Sequence, residues 1–272
     1  EVFYQPIIDL KTGRITSCEA LIRWRHPERG MVPPAEFIPI AEETGLIVPI
    51  GEWVLRHACA EAATWPGDVT LAVNLSPAQF KSRELVPTIV SALATSGLPP
   101  KRLELEITEL VLLQESEGAF AVLHKLRKLG IKIAMDDFGT GYASMSSLQS
   151  FPFDKIKIDR CFVSNITNES QNALAIVGTV AQLGRSLGMT ITAEGVETQE
   201  QLELVRAQGC SEMQGYLLSP PVAAEAPPSA PSSATSSASA TWTRSTPACA
   251  ARPRPCAAPS ASRARSARAS DR

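Results

Sequence analysis

Through the first 220 residues, short runs of alternating apolar and polar positions recur, and nearly all end in a carboxylate or carboxamide on the polar face. In the run 103–108, period-two geometry sets Leu103, Leu105 and Ile107 against Glu104, Glu106 and Thr108. The run 69–75 opposes Val69, Leu71, Val73 and Leu75 to Thr70, Ala72 and Asn74, and Ile131, Ile133 and Met135 oppose Lys132, Ala134 and Asp136. Lys155, Lys157 and Asp159 share one face against Ile156 and Ile158, while Thr190, Thr192 and Glu194 oppose Ile191 and Ala193. The run 15–24 sends Glu19, Leu21 and Arg23 to one side. One face of each run suits packing against helices; the other gathers oxygen donors at one rim.

Segments of helical period lie between these runs, at residues 84–96, 117–130, 172–188 and 199–209. Strand and helix therefore alternate, which predicts parallel strands joined by right-handed helical crossovers. A half-solvated sheet also alternates and would account for any single run. Six such runs in a parallel arrangement instead need their polar faces in a barrel interior or cleft. The predicted fold is α/β, a modified (β/α)8 TIM-type barrel with its site at the carboxyl ends of the strands. The runs 3–9 and 15–24 are joined by a short polar turn containing Gly13, too short for a helix, so the first strand should be antiparallel to the second. The last strand is expected at 213–218, and Pro227 and Pro228 bar the helix that should follow, leaving it missing or stunted.

A chain of 272 residues suits one barrel, which takes about 250. No apolar run approaches the ~20 residues of a membrane span and the first residues lack a signal-peptide profile, so a cytoplasmic protein is expected. Cys18, Cys59, Cys161, Cys210, Cys249 and Cys256 form no CxxC or zinc spacing and read as reduced thiols. His26, His57 and His124 form no ligand pattern. The expected domains are a barrel over 1–225 and a disordered tail over 226–272, rich in Ala, Ser, Pro and Arg and poor in aliphatic residues. Seven arginines against one aspartate make the tail +6 and leave −8 on the rest of a chain of net charge −2. Such a tail could meet an anionic partner, but a shifted reading frame of GC-rich DNA would give the same composition, and no nucleic-acid partner is assigned. The strand-like opening reads as part of a longer protein with upstream domains.

Several strings carry a resemblance. They are CEALIRWRHPERG at 18–30 with YQP before it, AVNLS at 72–76, ELEITE at 104–109, MDDFGTGYASMSSL at 135–148, DKIKID at 154–159, AEGVET at 193–198 and QGYLLS at 214–219. Over about residues 2–222 the chain resembles the EAL-domain family of cyclic di-GMP phosphodiesterases. The motifs are specific in their order and spacing, where Glu-Ala-Leu alone is not. The resemblance implies a modified barrel with an antiparallel first strand, in agreement with the hairpin above. It also implies two divalent ions, Mg²⁺ or Mn²⁺, one held by Glu19, Asn74, Glu106 and Asp136 and the other by Asp136, Asp137 and Glu194, with Asp159 in the same acidic group.

Chemistry favours the same residue types. Two carboxylates ~4 Å apart repel by about 4 kcal/mol at an effective dielectric near 20, so a mouth shared by six acids needs cations. All-oxygen donors with one amide and no His or Cys favour hard ions, and the adjacent Asp136 and Asp137 suit a two-ion clamp for in-line displacement at phosphorus. By the same resemblance Lys157 assists the attacking water, although it could simply pair with an acid. Glu197 orients the ligands or Lys157, and Gln5, Arg23 and Gln214 lie near substrate. Arg23 suits a phosphate through its planar fork; Gln214 could equally be a strand-end hydrogen bonder. Glu109 anchors the glycine-containing loop 138–142, or else is a capping or surface residue.

The implied reaction is hydrolysis of one bond of cyclic di-GMP to linear pGpG, by a homodimer whose parent protein carries an upstream sensory or cyclase domain. A weak or inactive cyclic di-GMP receptor is the alternative. A Schiff-base aldolase using Lys157 would have no need of so many carboxylates.

Overall fold

The computed structural model describes residues 1–114, 116–139, 151–167 and 171–224. The tail from 225 and loop positions 140–142 lie outside the described residues, as do Cys249 and Cys256. Strands β1 (Val2–Asp9), β2 (Ile15–Ile22), β3 (Trp24–His26), β4 (Gly30–Val32), β5 (Thr70–Leu75), β6 (Leu103–Thr108), β7 (Lys132–Phe138), β8 (Lys155–Ile158), β9 (Thr190–Ala193), β10 (Glu212–Met213) and β11 (Val222–Ala223) follow in chain order.

Strands β1, β2 and β5 to β10 close a ring, in which β10 returns to pair with β1. β1 is antiparallel to both its neighbours, whereas every other pairing around the ring is parallel. The fold is a modified TIM barrel with an inverted first strand, built as the short 10–14 turn requires. β3 and β4 form a separate hairpin.

The helical segments fall at Leu85–Ser96, Ser116–Lys128, Gln171–Ser186 and Gln199–Ala207. Leu85–Ser96 stops where Gly97 turns left-handed with φ 73°, and Gln199–Ala207 starts on a reciprocal Thr198–Gln201 capping box. Periodicity did not single out the helices Pro34–Glu43 and Ile47–Ala62, which bridge the hairpin to β5. The outward strand faces, including Leu71, Leu105, Ile133, Ile156 and Ile191, are fully buried beneath the helices. The inward faces carry Glu104, Glu106, Lys155, Lys157 and Thr192, all buried, where such barrels ordinarily stack aliphatic layers.

Two ends differ from expectation. The second run stops as a barrel strand at Ile22 rather than 24, because Trp24 leaves for the β3–β4 hairpin. The last barrel strand is only Glu212–Met213, and residues 214–219 turn against Val196, with Leu217 N–H bonding the Val196 carbonyl at 3.0 Å. Among the described residues no helix follows; β11 instead pairs with the start of β1, Tyr4 opposite Val222. None of the described helices is long and apolar enough to cross a membrane.

The turn after β10 depends on Gly215, where a Cβ would stand 2.1 Å from the Val196 carbonyl oxygen and 2.3 Å from its nitrogen. Gly215→Ala is expected to lower stability by about 1–3 kcal/mol, since backbone must move to admit the methyl. Gly67→Ala, with nothing within 4 Å, should be neutral. Urea midpoints measure both, and equal midpoints would contradict the packing described.

Candidate metal centre

Each strand end delivers a side chain to one mouth. Glu19 from β2, Glu106 from β6 and Asp136 from β7 are buried beside Lys157 of β8, which is fully enclosed. The Lys157 Nζ stands 2.7 Å from Glu194, 2.9 Å from Glu106 and 3.4 Å from both Glu19 and Asp136. Period-two alternation explains these inward positions, but it would turn Asp137 away from Asp136. Asp137 escapes through a left-handed backbone, φ 52°, at a register shift between β7 and β8. It is the one described non-glycine residue with positive φ, a conformation that costs energy and clusters at functional sites. Through it, carboxylate oxygens of Asp136, Asp137 and Glu194 come within 4.8 Å of one another.

Hydrogen bonds set the carboxylate planes. Glu19 accepts from Asn74 Nδ2 at 2.6 Å and from Gln214 Nε2 at 2.7 Å. Gln214 also donates to Gln5 Oε1 at 3.0 Å, and Gln5 donates to the Ser219 carbonyl at 3.0 Å. Gln5 and Gln214 are buried, so in this state Gln214 orients Glu19 and Gln5 accepts from Gln214, neither facing an open cleft. Arg23 is half-buried, with Nη1 on the Ile22 carbonyl at 2.9 Å and its guanidinium 5.7 Å from the Phe3 ring centre.

Glu109 is buried and accepts from the Gly139 N–H at 3.0 Å, so it ties the start of the loop to the helix that begins at Glu109 itself. Asp159 caps the helix Arg160–Ser164 by accepting from Cys161 N–H at 2.8 Å, and it stands close enough to Asp137 to disfavour that residue's ionisation. Glu197 is exposed, and its backbone N–H bonds Gln201.

Electrostatics separate the acids. Burial opposes ionisation of Glu19, but the Lys157 charge and the amide donors outweigh it and hold this carboxyl below its usual range. Burial and the Glu19 charge push Glu106 well up, and burial raises Asp136. Burial with Asp136 and Asp159 moves Asp137 from 3.8 to about 7, and burial takes Glu194 from 4.5 to about 8 against the pull of Lys157. Lys157 is driven well up: burial opposes its charge, and four carboxylates overcome it.

One ammonium cannot neutralise five carboxylates, and the buried Glu106 Oε1 has no hydrogen-bond partner among the described residues. An orphaned buried acceptor among all-oxygen donors fits hard divalent cations. Sequence reasoning did not assign a charged layer one step deeper, where Lys155 Nζ lies 2.8 Å from Glu104 and 3.0 Å from Glu212. The inward parity of Glu104 and Lys155 was visible, but no motif marks Glu212.

The EAL domain model matches residues 1–221. The bifunctional diguanylate cyclase/cyclic di-GMP phosphodiesterase MucR of Pseudomonas aeruginosa is 42% identical over 226 residues, covering 82% of this chain and 33% of that protein. This chain spans 27–33% of the length of the first four curated relatives it matches. The PaMucR phosphodiesterase in complex with c-di-GMP superposes with a TM-score of 0.79 at 41% identity, covering 83% of this chain and 92% of that one. A manganese and cyclic di-GMP complex of Klebsiella pneumoniae BlrP1 gives a TM-score of 0.71 at 34% identity, covering 82% and 56%.

The raised acids make a pH prediction. Folded Asp137 and Glu194 keep protons that the unfolded chain has lost, so between about pH 4 and 8 their contribution to metal-free stability falls as pH rises. Divalent ions held by these carboxylates would displace those protons, so the stabilisation they confer should grow over the same window. Melts at about pH 5 and 8, with EDTA or with Mn²⁺, should show a higher metal-free Tm at the lower pH and a larger Mn²⁺ increment at the higher. A Mn²⁺ increment independent of pH would count against this charge assignment.

Proposed function

The chain belongs to the EAL-domain family, and we propose that it hydrolyses one phosphodiester bond of cyclic di-GMP to linear pGpG with two Mg²⁺ or Mn²⁺ ions. The observation that carries this reading is the convergence of Glu19, Glu106, Asp136 and Glu194 on buried Lys157 at one mouth, with Asp137 turned in beside them. Glu19, Asn74, Glu106 and Asp136 are assigned to one ion, and Asp136, Asp137 and Glu194 to the other, with Asp159 alongside. The MucR and BlrP1 complexes support cyclic di-GMP as the ligand, and the manganese in the latter supports the ion type.

When bound, the ions supply Lewis acidity toward the phosphoryl oxygens and a lowered pKa for the attacking water. The chain's own residues do the rest. Asn74 and Gln214 hold the Glu19 carboxylate in one orientation, with Gln5 behind Gln214. Arg23 offers its planar fork to a phosphate, its guanidinium lying over the Phe3 ring. The carboxylates around Lys157 hold it as an ammonium; divalent ions neutralising those carboxylates would lift that field, and the amine would then assist removal of the proton from the attacking water. Glu109 holds the Gly139 end of the loop beside Asp136 and Asp137. Glu197 is assigned no more than an outer orienting role, consistent with its exposure.

A receptor that binds without cleaving would be expected to lack part of the ligand set, and none of the assigned residues is missing. The bifunctional relative supports an upstream cyclase or sensory domain in the parent protein, and a homodimer belongs to the same reading.

Purified protein with Mg²⁺ should convert cyclic di-GMP to pGpG on chromatography, and Lys157→Met should lower turnover by about 10²–10⁴-fold while cyclic di-GMP still binds. Binding by calorimetry with no pGpG from folded, Mn²⁺-loaded protein would replace the enzyme reading with the receptor one.

A further inference from the structure

Beneath the metal centre, at the amino end of the barrel, lies a half-open polar cavity of about 240 Å³ whose walls include Glu104, Lys155, Glu212, Ser17 and Lys132. Its core is a buried ion triad in which Lys155 spans Glu104 at 2.8 Å and Glu212 at 3.0 Å. Glu212 is further held by Thr192 Oγ1 at 2.9 Å and Thr16 Oγ1 at 2.7 Å. Each member stands two positions before a residue of the centre: Glu104 before Glu106, Lys155 before Lys157 and Glu212 before Gln214. Inward side chains two apart on a strand are successive layers of the barrel interior.

Backbone ladders join only adjacent strands, and β6, β8 and β10 are not adjacent. β10 is the weakest of them, with two residues and two paired positions on each side. Its stagger therefore leans on the Glu212 side chain, and the next inward residue, Gln214, is the 2.7 Å donor that orients Glu19.

We propose that Lys155 is a positioning residue for the metal centre, acting through Glu212 and Gln214 on Glu19 and through Glu104 on the stagger of β6. This rests on the divalent-ion reading above, and the test separates the two. Because the triad borders an open cavity, Lys155→Ala leaves a gap that methylammonium can enter, returning an N–H-bearing cation between Glu104 and Glu212.

Mn²⁺ affinity, followed by the electron paramagnetic resonance of the free ion, is expected to fall by about 10–100-fold in Lys155→Ala. Methylammonium should restore it, tetramethylammonium at equal ionic strength should not, and Lys155→Arg should keep most of it. Glu212→Gln, which retains volume but removes the charge and turns one threonine hydroxyl from donor to acceptor, should weaken Mn²⁺ in the same direction, and it carries the test if Lys155→Ala does not fold. Unchanged Mn²⁺ affinity in these variants overturns the proposal, as does a loss that neither methylammonium nor arginine repairs. Absence of Mn²⁺ binding by the unsubstituted chain removes the metal reading itself, and this proposal with it.

Discussion

The structure turns on a buried ammonium surrounded by carboxylates. Lys157 has no exposure to solvent, and its charge is tolerable only because Glu19, Glu106, Asp136 and Glu194 stand within salt-bridge distance. A charge taken out of water costs several kcal/mol unless it is paired and hydrogen-bonded. The converse holds for the acids: one lysine is too little positive charge for them, so most are pushed toward protonation. A site in that condition is predisposed to accept cations, because each ion that enters relieves repulsion already present in the fold.

The barrel makes this arrangement possible by being charged where its relatives in shape are greasy. Aliphatic side chains point outward beneath the helices, and the interior is stacked in ionic layers, Glu104–Lys155–Glu212 below and the Lys157 cluster above. Cross-barrel ion pairs complement the ladders, joining strands that share no backbone hydrogen bonds. The inverted β1 closes the ring on the two-residue β10, and Gln5 of β1 and Gln214 after β10 meet beside Glu19. The seam of the barrel is thus also a wall of the acidic mouth.

Much of the centre could be read from alternation alone. Glu19, Asn74, Glu106, Asp136, Lys157 and Glu194 each fall on the polar face of an apolar run, and the inward parity of a strand is a local property. The surroundings of Gln5 and Gln214 are less legible: the resemblance sets both near substrate, with a strand-end hydrogen bond as the other reading of Gln214, and in the fold Gln214 bonds both Gln5 and Glu19. Their partners lie across the closing seam, about two hundred residues apart along the chain. The expected last strand at 213–218 shortened because Gly215 lets the backbone fold against Val196, a contact between two strand-end loops that no local period encodes.

The amino-acid order alone determined the alternation of strand and helix, the opening hairpin and the side of each strand on which oxygen donors stand, because these follow from periods of two and 3.6 residues acting over short range. Tertiary structure decided how the donors combine. It took closure of the ring to bring four acids onto one lysine, a left-handed turn at Asp137 to place adjacent aspartates in one cluster, and a register between non-adjacent strands to set one ionic layer beneath the other. Distances across a barrel depend on shear and stagger, which are properties of all eight strands together and of no single run.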